Sequence, residues 1–425
     1  MTKSLRIATV DLNGQFRGKR VAASALGKEM RLPLSALNVD IFGADIEGSP
    51  LVFDSGDQDG IMMTTNREPI PLPWVAGSAY LDLRIMHQDD GTPFVGDPRL
   101  ALSAVLDRYA HRGWSVIAAC ELEFFLIEDG RNLTPPINPK TRQRLSAPEV
   151  LSLRELDGFD TFFNDIVQGA EKMGLGDVTI TSEAAVGQFE VTMCHGPALY
   201  MADNVILLKE LIKGTARNHA MAATFMAKPF TTKSGNGLHT HFSVLDKNGL
   251  NIFCDKPQLT SAVAGCLNAL AASTIFFAPF TNSYSRFTSG AHAPTTATWG
   301  YENRTVAIRI PGGPAAATRI EHRVSGGDVN PYLMFAAIFG AALGGIEIQQ
   351  KAPAPLSGNA YSQPGDLPGL ASDLRQAITN LEDPILTNFM PPQLLAYLAA
   401  TKRQELSLFT CMSDHDALLA LIENA

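Results

Sequence analysis

The chain has 425 residues, of which 45% are hydrophobic and 18% are charged, and its formal net charge is -9. This composition is typical of a globular protein with two or three domains, and it argues against disorder and against nucleic-acid binding. The five cysteines lack CxxC spacing, which favours reduced thiols in a cytoplasm over a disulfide framework.

The sequence contains no segment suited to a membrane. The first residues, "MTKSLRIATVDLNGQFRG", lack the apolar core of a signal peptide. The longest apolar run, from Tyr332 to Ile346, is too short to span a bilayer. Because it follows Asn330-Pro331, it predicts a buried helix. We therefore expect a cytoplasmic protein without a membrane partner.

The predicted elements change in character near residue 95. Before it, strand-like runs ("RIATVDL", "PLVFD") alternate with Gly, Asp and Pro, which predicts a small β-rich domain. After it, "DPRLALSAVLDRYAHRG" predicts a helix with an Asp-Pro start and a Gly stop. Further elements are predicted as follows: a strand at 115–128, a helix around 159–173, strands within 177–193, a helix around 200–220, and strands at 237–245 and 304–323. The fold class is α+β, with an N-terminal domain over 1–95 and a catalytic domain over 96–425.

Two glutamates lie at the centre of an otherwise apolar predicted strand, "SVIAACELEFFLI". Glu121 and Glu123 are two positions apart, so their side chains point to the same face. Two ionised carboxylates in a poorly solvated place repel each other, and each also loses solvation. The pattern therefore predicts a positive group or ion in front of this face.

Other predicted strands also carry charged residues among apolar ones. These are Glu183, Glu190, His239, His241, Arg304, Arg309, Arg319, Glu321 and Arg323. Any one of them alone is compatible with a structural ion pair, or with a half-buried structural histidine. Together, carboxylates with an imidazole suit Mg²⁺ or Mn²⁺ better than zinc or iron. Arginines beside such ions suit phosphate and carboxylate, so the set indicates phosphoryl transfer to a carboxylate.

Six motifs, taken in chain order, resemble those of the glutamine synthetase family: "CELEFFL", "SEAAVGQFEV", "GNGLHTHFSV", "TNSYSRF", "NRTVAIRIP" and "RIEHRVSGGDVNPYL". The resemblance covers nearly the whole chain. It implies an N-terminal β-grasp domain and a catalytic domain with a curved antiparallel sheet. It also implies a homo-oligomer of six-membered rings, usually stacked as a dodecamer, with each active site shared between neighbouring subunits.

The resemblance also implies a role for each matched residue. The implied ligands are glutamate, ATP, a small amine, and two or three Mg²⁺ or Mn²⁺ ions per site. The first metal site falls on Glu123, Glu183 and Glu190, and the second on Glu121, His239 and Glu321. The residues implied to bind the carboxylates of the substrate glutamate are Arg286, Arg323 and Gly235. Those implied to face the transferred phosphate are Arg304 and Arg309. The nucleotide contacts fall on His241, Ser243 and Arg319.

The sequence departs from ammonia-using members at two places. Where they carry a glutamate that closes the site and helps take a proton from ammonium, this chain has His292. An imidazole offers no fixed negative charge, although a neutral one can act as a general base; alternatively, His292 is only a loop residue. The second departure is "HRVSGG" in place of Pro-Asp after the arginine. Asp40 corresponds loosely to the ammonium-binding aspartate of the neighbouring subunit, and Tyr361 lies near a position that some bacterial members adenylylate.

These features are similar to the γ-glutamylamine ligase branch, which includes γ-glutamylpolyamine synthetases. We therefore predict an ATP-dependent ligase that joins glutamate to an organic amine or polyamine. One alternative is a true glutamine synthetase that uses ammonia. Others are a catalytically silent ring-forming homologue and a kinase that releases acyl phosphate without forming an amide.

Overall fold

A computed structural model describes residues 4–65, 67–129, 132–288, 293–363 and 369–425. Its strands are β1 Ser4–Val10, β2 Phe16–Ala22, β3 Arg31–Pro33, β4 Asp59–Thr64, β5 Ile70–Pro71, β6 Ala79–His87, β7 Ser115–Ile127, β8 Val178–Ser182, β9 Gln188–Met193, β10 Gly196–Pro197, β11 Ala222–Thr224, β12 Leu238–Leu245, β13 Trp299–Tyr301, β14 Ile308–Ile310 and β15 Ile320–His322. Its α-helices are α1 Pro98–Ala110, α2 Leu153–Gly158, α3 Asp160–Lys172, α4 Ala198–Asn218, α5 Lys256–Asn268, α6 Thr274–Phe277, α7 Pro331–Glu347, α8 Leu374–Asn380, α9 Pro392–Cys411 and α10 Asp414–Asn424.

The N-terminal strands form a six-stranded mixed sheet in the order β2-β1-β6-β4-β3, with β5 also pairing with β6. The neighbouring strands β1 and β6 are parallel, and the other pairs are antiparallel. This sheet agrees with the predicted β-grasp domain. The strand-like reading of "PLVFD" was wrong, because residues 51–55 form turns that are closed by local bonds such as Phe53 N–H to the Ser49 carbonyl at 3.0 Å.

The second sheet has nine strands, and its path is β13-β14-β15-β12-β7-β9-β8. The long strand β7 lies inside it, between β12 and β9, and also pairs with the short strands β10 and β11. All of its pairs are antiparallel except β13 with β14. The predicted curved antiparallel sheet is therefore confirmed, whereas the division of the chain at residue 95 stays a prediction.

Most predicted elements agree with the structure to within a few residues. The strand at 115–128 is β7, and the helices around 159–173 and 200–220 are α3 and α4. The region 304–323 differs, because it contains only the two short strands β14 and β15. Pro311 and Pro314 lie between them, and proline lacks the backbone N–H that a continuing ladder needs.

The predicted buried helix is α7, which packs against α5. The side chain of Asn330 begins it by accepting hydrogen bonds from the Tyr332 and Leu333 backbone N–H groups at 3.0 and 3.3 Å. Close packing depends on small residues, since a Cβ on Gly265 would lie 2.1 Å from the carbonyl oxygen of Ala341. No helix in the described part of the chain is long and apolar enough to cross a membrane.

The buried carboxylate of Asp203 on α4 connects three helices. It accepts hydrogen bonds from Arg99 of α1 at 2.9 and 3.2 Å and from the Tyr332 hydroxyl of α7 at 2.7 Å. Asp203→Ala would leave a buried arginine without its carboxylate, which typically costs about 3–5 kcal/mol. We expect urea unfolding to show a fall of this size in the free energy of unfolding.

Asp165→Ala provides the matched control for this prediction. Asp165 on α3 is more than half exposed and pairs with His219 at 2.7 Å. An exposed pair of this kind contributes at most about 1 kcal/mol. Equal losses of stability in the two variants would contradict the structural role of Asp203.

Candidate active site

The strand register places the two central glutamates of β7 among charged neighbours. Glu121 lies opposite His239 on β12, and Glu123 lies opposite Glu190 on β9. Directly paired residues project to the same face of a sheet. All four side chains therefore share one face, as the spacing of the two glutamates predicts.

The same face continues across two further strands. His241 on β12 lies opposite Glu321 on β15, and Glu321 lies opposite Arg309 on β14. The hairpin of β8 and β9 adds Glu183, whose backbone N–H donates to the Gln188 carbonyl at 2.9 Å. The register thus collects side chains that are up to about 200 residues apart in the sequence.

Two histidines hold Glu121. Its carboxylate oxygens lie 3.0 Å from Nδ1 of His239 and 3.0 Å from Nε2 of His241. Burial raises the pKa of Glu121, but the two histidine hydrogen bonds outweigh it and hold that pKa well below its ordinary range. Since a carboxylate can only accept, Nδ1 of His239 carries the proton, and in the neutral ring Nε2 keeps a lone pair for a metal.

Glu321 is fully buried between two arginines. It accepts a hydrogen bond from Nη1 of Arg309 at 2.6 Å and another from Nη1 of Arg323. Burial raises the pKa of Glu321, but the charge of Arg323, followed by the electrostatic effect of His239, His241 and Arg309, lowers it below the ordinary value. This carboxylate is therefore ionised and held in a fixed position.

Glu123, Glu183 and Glu190 form an acidic cluster. The Gly237 backbone N–H donates to Glu123 at 2.6 Å, and the Thr192 hydroxyl donates to Glu190 at 3.1 Å. Among the described residues, the salt bridges of the site are formed by Glu121, Glu302 and Glu321, and none is formed by the three glutamates of this cluster. Burial and then the charge of Glu123 raise the pKa of Glu183 to about 7. Burial and then the charges of Glu121 and Glu123 raise the pKa of Glu190 to about 8.

This donor set fits a hard divalent cation. Glu121, His239 and Glu321 offer ligand atoms within 4.8 Å of one another, and so do Glu123, Glu190 and His239. Carboxylate oxygens with one imidazole suit Mg²⁺ and Mn²⁺, and a cation would offset the repulsion within the acidic cluster. Glu183 is in neither group, so the division of ligands between two metal sites stays a prediction.

Arg286 and Arg323 are buried next to the acidic face. Arg286 donates to the Val324 carbonyl at 2.6 Å, and burial lowers its pKa. The loop beside Arg286 requires a glycine at position 235, because a Cβ there would lie 2.3 Å from the Ala227 carbonyl oxygen and 3.0 Å from Cγ of Arg286. The Nε atom of Arg323 is buried and has no hydrogen-bond partner among the described residues. A bound carboxylate would satisfy this donor.

The two arginines predicted to face phosphate differ in their surroundings. Arg309 bonds to Glu321 and also lies 3.3 Å from Oε1 of Glu302, while its buried Nε has no partner among the described residues. Arg304 is exposed, and its charge lowers the pKa of Glu183, although less than burial raises it. Both positions therefore offer guanidinium donors beside the carboxylates, and their roles stay predictions.

The predicted nucleotide residues lie on β12 and just before β15. Arg319 donates from Nε to Nδ1 of His241 at 3.3 Å, and the Ser243 hydroxyl donates to the Thr318 carbonyl at 2.9 Å. His241 is thus placed between Arg319 and Glu121. These contacts join the predicted nucleotide residues to the predicted metal ligands, and a role in ATP binding stays a prediction.

The predicted amine residues are less well defined. Asp40 is buried, and its carboxylate accepts from the Phe42 and Ala44 backbone N–H groups and from Gln404 at 2.9 to 3.0 Å. These hydrogen bonds within its own chain satisfy the buried carboxylate of Asp40. A role of Asp40 toward a neighbouring subunit stays a prediction. His292 lies outside the described residues. The Tyr361 hydroxyl donates to the Ala293 carbonyl at 3.1 Å.

Sequence reasoning missed three residues that support the site. Gln188 is buried and donates to the Gly235 carbonyl at 3.0 Å and to Asn236 at 3.2 Å, which fixes the loop before β12. Asn236 in turn donates to the Met226 carbonyl at 2.9 Å. Glu302 bonds to Arg309. Gln188 was detectable, since it lies two positions before Glu190 on the same strand; Asn236 and Glu302 gave no comparable signal.

Comparison with known sequences agrees with this geometry. Residues 95–417 match the family described as glutamine synthetase, catalytic domain. The chain belongs to the glutamine synthetase family. One relative in this family, γ-glutamylputrescine synthetase PuuA of Escherichia coli (strain K12), is 33% identical over 100% of this chain and 92% of that protein.

Other glutamine synthetase relatives align over similar lengths. The glutamine synthetase of Thermus thermophilus is 32% identical over 95% of this chain and 92% of its own. The solved structure of a GmaS–ADP complex has a TM-score of 0.83 and 30% identity, and it covers 96% of this chain and 94% of that one. The family resemblance predicted from the six motifs is therefore confirmed.

Proposed function

We propose that this protein is an ATP-dependent ligase that joins the γ-carboxylate of glutamate to an organic amine or polyamine. The observation that carries the proposal is the shared face of the large sheet. Four carboxylates and His239, which could hold a cation, lie there next to two buried guanidinium donors, the Nε atoms of Arg309 and Arg323, that lack partners among the described residues. A cation site beside unsatisfied arginine donors suits the binding of a phosphate and a carboxylate together.

The chemistry proceeds in two steps. The γ-carboxylate oxygen of glutamate attacks the terminal phosphorus of ATP, ADP leaves, and γ-glutamyl phosphate forms. The amine nitrogen then attacks the acyl carbon; the C–N bond forms, phosphate leaves and the nitrogen loses a proton. When bound, Mg²⁺ or Mn²⁺ supplies charge neutralisation at the ATP phosphates.

We propose a role for each residue of this chain that matches a motif of the family. Arg323 and Arg286 bind and orient the carboxylates of glutamate, with Gly235 in the adjoining loop. Arg309 and Arg304 donate to the transferred phosphate, where negative charge develops. Arg319, His241 and Ser243 contact the nucleotide. Glu321 and Glu302 keep the guanidinium of Arg309 in place, so this side chain needs little reorganisation when the phosphoryl group is transferred.

The proposal extends to the setting of the enzyme. We infer a cytoplasmic homo-oligomer of hexameric rings, with a dodecamer as the expected form. Residues 1–95 would be the N-terminal domain and residues 96–425 the catalytic domain. Asp40 would act on the amine in the active site of a neighbouring subunit.

The decisive experiment measures phosphate release from ATP with glutamate, Mg²⁺ and a panel of amines. The panel contains ammonia, methylamine, ethanolamine, putrescine, spermidine and an aromatic amine. Turnover with an organic amine well above that with ammonia is the expected result, with the γ-glutamylamide identified by mass spectrometry. Phosphate release without any amide would instead indicate a kinase, and silence across the panel would overturn the proposal.

A true glutamine synthetase is the second candidate, because the Thermus thermophilus glutamine synthetase is nearly as similar to this chain (32% identical) as γ-glutamylputrescine synthetase PuuA (33%). The variant His292→Glu tests whether position 292 determines the choice between ammonia and an organic amine. If position 292 sets the nucleophile, we expect a fixed carboxylate there to raise turnover with ammonia relative to amines, because it attracts ammonium.

His292→Gln is the control for this variant, because it removes the base without adding a negative charge. The readout is the ratio of kcat/KM for ammonia to that for the best amine. An unchanged ratio in His292→Glu would assign His292 to a loop role only.

A further inference from the structure

A cavity lies between the N-terminal sheet and helix α4, away from the candidate active site. Its volume is about 440 Å³, within the range of small-molecule sites. Its lining comes from β1, β2 and β6, from the segment before β6, and from α4, and it includes none of the residues assigned to the active site. It is therefore a separate feature of the molecule.

The cavity combines an apolar wall with a cluster of cations. The apolar part contains Trp74, Leu81 and Leu207. Trp74 packs tightly on α4, since a Cβ on Gly214 would lie 2.2 Å from its indole ring. The charged side chains on this face are Arg6, Arg20, Arg217 and a single acid, Glu210. Lys19 points to the opposite face of β2, where its Nζ donates to the Arg31 carbonyl at 2.8 Å. The lining thus has an excess of positive charge above a hydrophobic surface.

Two of these arginines face each other with no acid between them. Arg6 on β1 and Arg20 on β2 are direct cross-strand partners, an arrangement in which like charges destabilise a sheet. Neither forms a salt bridge within the described residues, whereas Arg217 pairs with Glu423 at 3.1 Å. Burial and then the charge of Arg20 lower the pKa of Arg6.

The guanidinium of Arg6 also has an unsatisfied donor. Its Nη1 atom is buried and has no hydrogen-bond partner in the described part of the chain. A buried charged donor without a partner is costly, and a carboxylate or phosphate is the group that a guanidinium binds best. An anion in the cavity would satisfy the donor and offset the repulsion between the two arginines.

We propose that this cavity binds a small organic anion. Arg6 and Arg20 hold its carboxylate or phosphate, and its ring or hydrocarbon part lies against Trp74 and Leu81. The site does not depend on the ligase function proposed above, because the two sites share no residue.

Calorimetric titration of the full chain tests this proposal, and the second signal is the part of the tryptophan fluorescence change that is lost in Trp74→Phe. Phenyl phosphate and benzoate are the probes, inorganic phosphate carries the charge alone, and phenol carries the ring alone. We expect a saturable response to phenyl phosphate or benzoate at lower concentrations than to phosphate or phenol. Absence of saturable binding for both probes would overturn the proposal.

Variants locate the binding. Arg6→Gln and Arg20→Gln should each weaken binding of the probe by about 10- to 100-fold, the usual effect of losing a charge-assisted hydrogen bond. Arg375→Gln, at an exposed arginine on α8, should leave it unchanged. Arg309→Gln should also leave it unchanged, which separates this cavity from the phosphate residues of the active site. Equal weakening by all four substitutions would contradict the assignment.

Stability provides a second, independent readout. Without any anion, Arg6→Gln should not lower Tm, because it removes one of two facing like charges. Phenyl phosphate should raise Tm of the wild-type chain more than that of the variant. If Arg6→Gln instead changes the oligomeric state and no probe binds, the arginines belong to a contact between copies, and the proposal is wrong.

Discussion

Replacing Glu321 with glutamine is expected to reduce metal-dependent phosphate release by about 100-fold or more. Loss of an outer partner of a metal ligand typically costs about 10- to 100-fold, and loss of a ligand should cost at least as much. Glu321 is fully buried and lies in the group with Glu121 and His239. The measurement is phosphate release as a function of Mg²⁺ or Mn²⁺ concentration at saturating ATP, glutamate and amine.

The same substitution has a structural cost that must be separated from the catalytic one. Arg309 and Arg323 both donate to Glu321, so its charge is part of a buried network. Circular dichroism and Tm report whether Glu321→Gln remains folded. Glu128→Gln is the control, because Glu128 follows the same strand as Glu121 and forms an exposed pair with Arg144. Normal metal-dependent turnover in a folded Glu321→Gln protein would contradict the assignment of Glu321 as a metal ligand.

Arg323→Ala is expected to raise KM for glutamate by more than about 100-fold, while KM for ATP changes far less. A charged hydrogen bond contributes about 1.5–3 kcal/mol, and a bidentate arginine–carboxylate contact makes two of them. Arg323 is buried and its Nε lacks a partner in the described structure, so its interaction energy is available to a substrate carboxylate. Steady-state kinetics with each substrate varied in turn provide the measurement.

Two further variants show whether Arg323 contacts glutamate or only supports Glu321. Arg323→Lys keeps the charge but loses the planar fork, so it should restore metal dependence more than glutamate affinity. Arg144→Ala, at an arginine that also pairs with a glutamate but lies on the surface, should have no effect on either KM. Equal rises in both KM values for Arg323→Ala would mean that the residue acts only through Glu321.

Local patterns predicted the long elements of the fold well. Helices α1 and α7 carry their start signals, Asp97-Pro98 and Asn330-Pro331, in the sequence, and β7 is a long apolar run between two glycines. Short elements were predicted poorly. The run "PLVFD" forms turns, and the region 304–323 forms two strands of three residues each, since a short apolar run fits several structures and prolines interrupt the ladder.

By itself, the sequence determined that Glu121 and Glu123 share a face, because side chains alternate along a strand. It also determined the family, through six motifs in order. Only the tertiary structure decided that His239 lies opposite Glu121, that His241 bonds to the same carboxylate, and that Arg309 and Arg323 both hold Glu321. Register depends on the pairing of distant segments, and no local pattern contains it. The pairing of Arg6 with Arg20 also depends on register. Neither arginine is unusual in the sequence, and the two like charges become direct neighbours only when β1 and β2 pair.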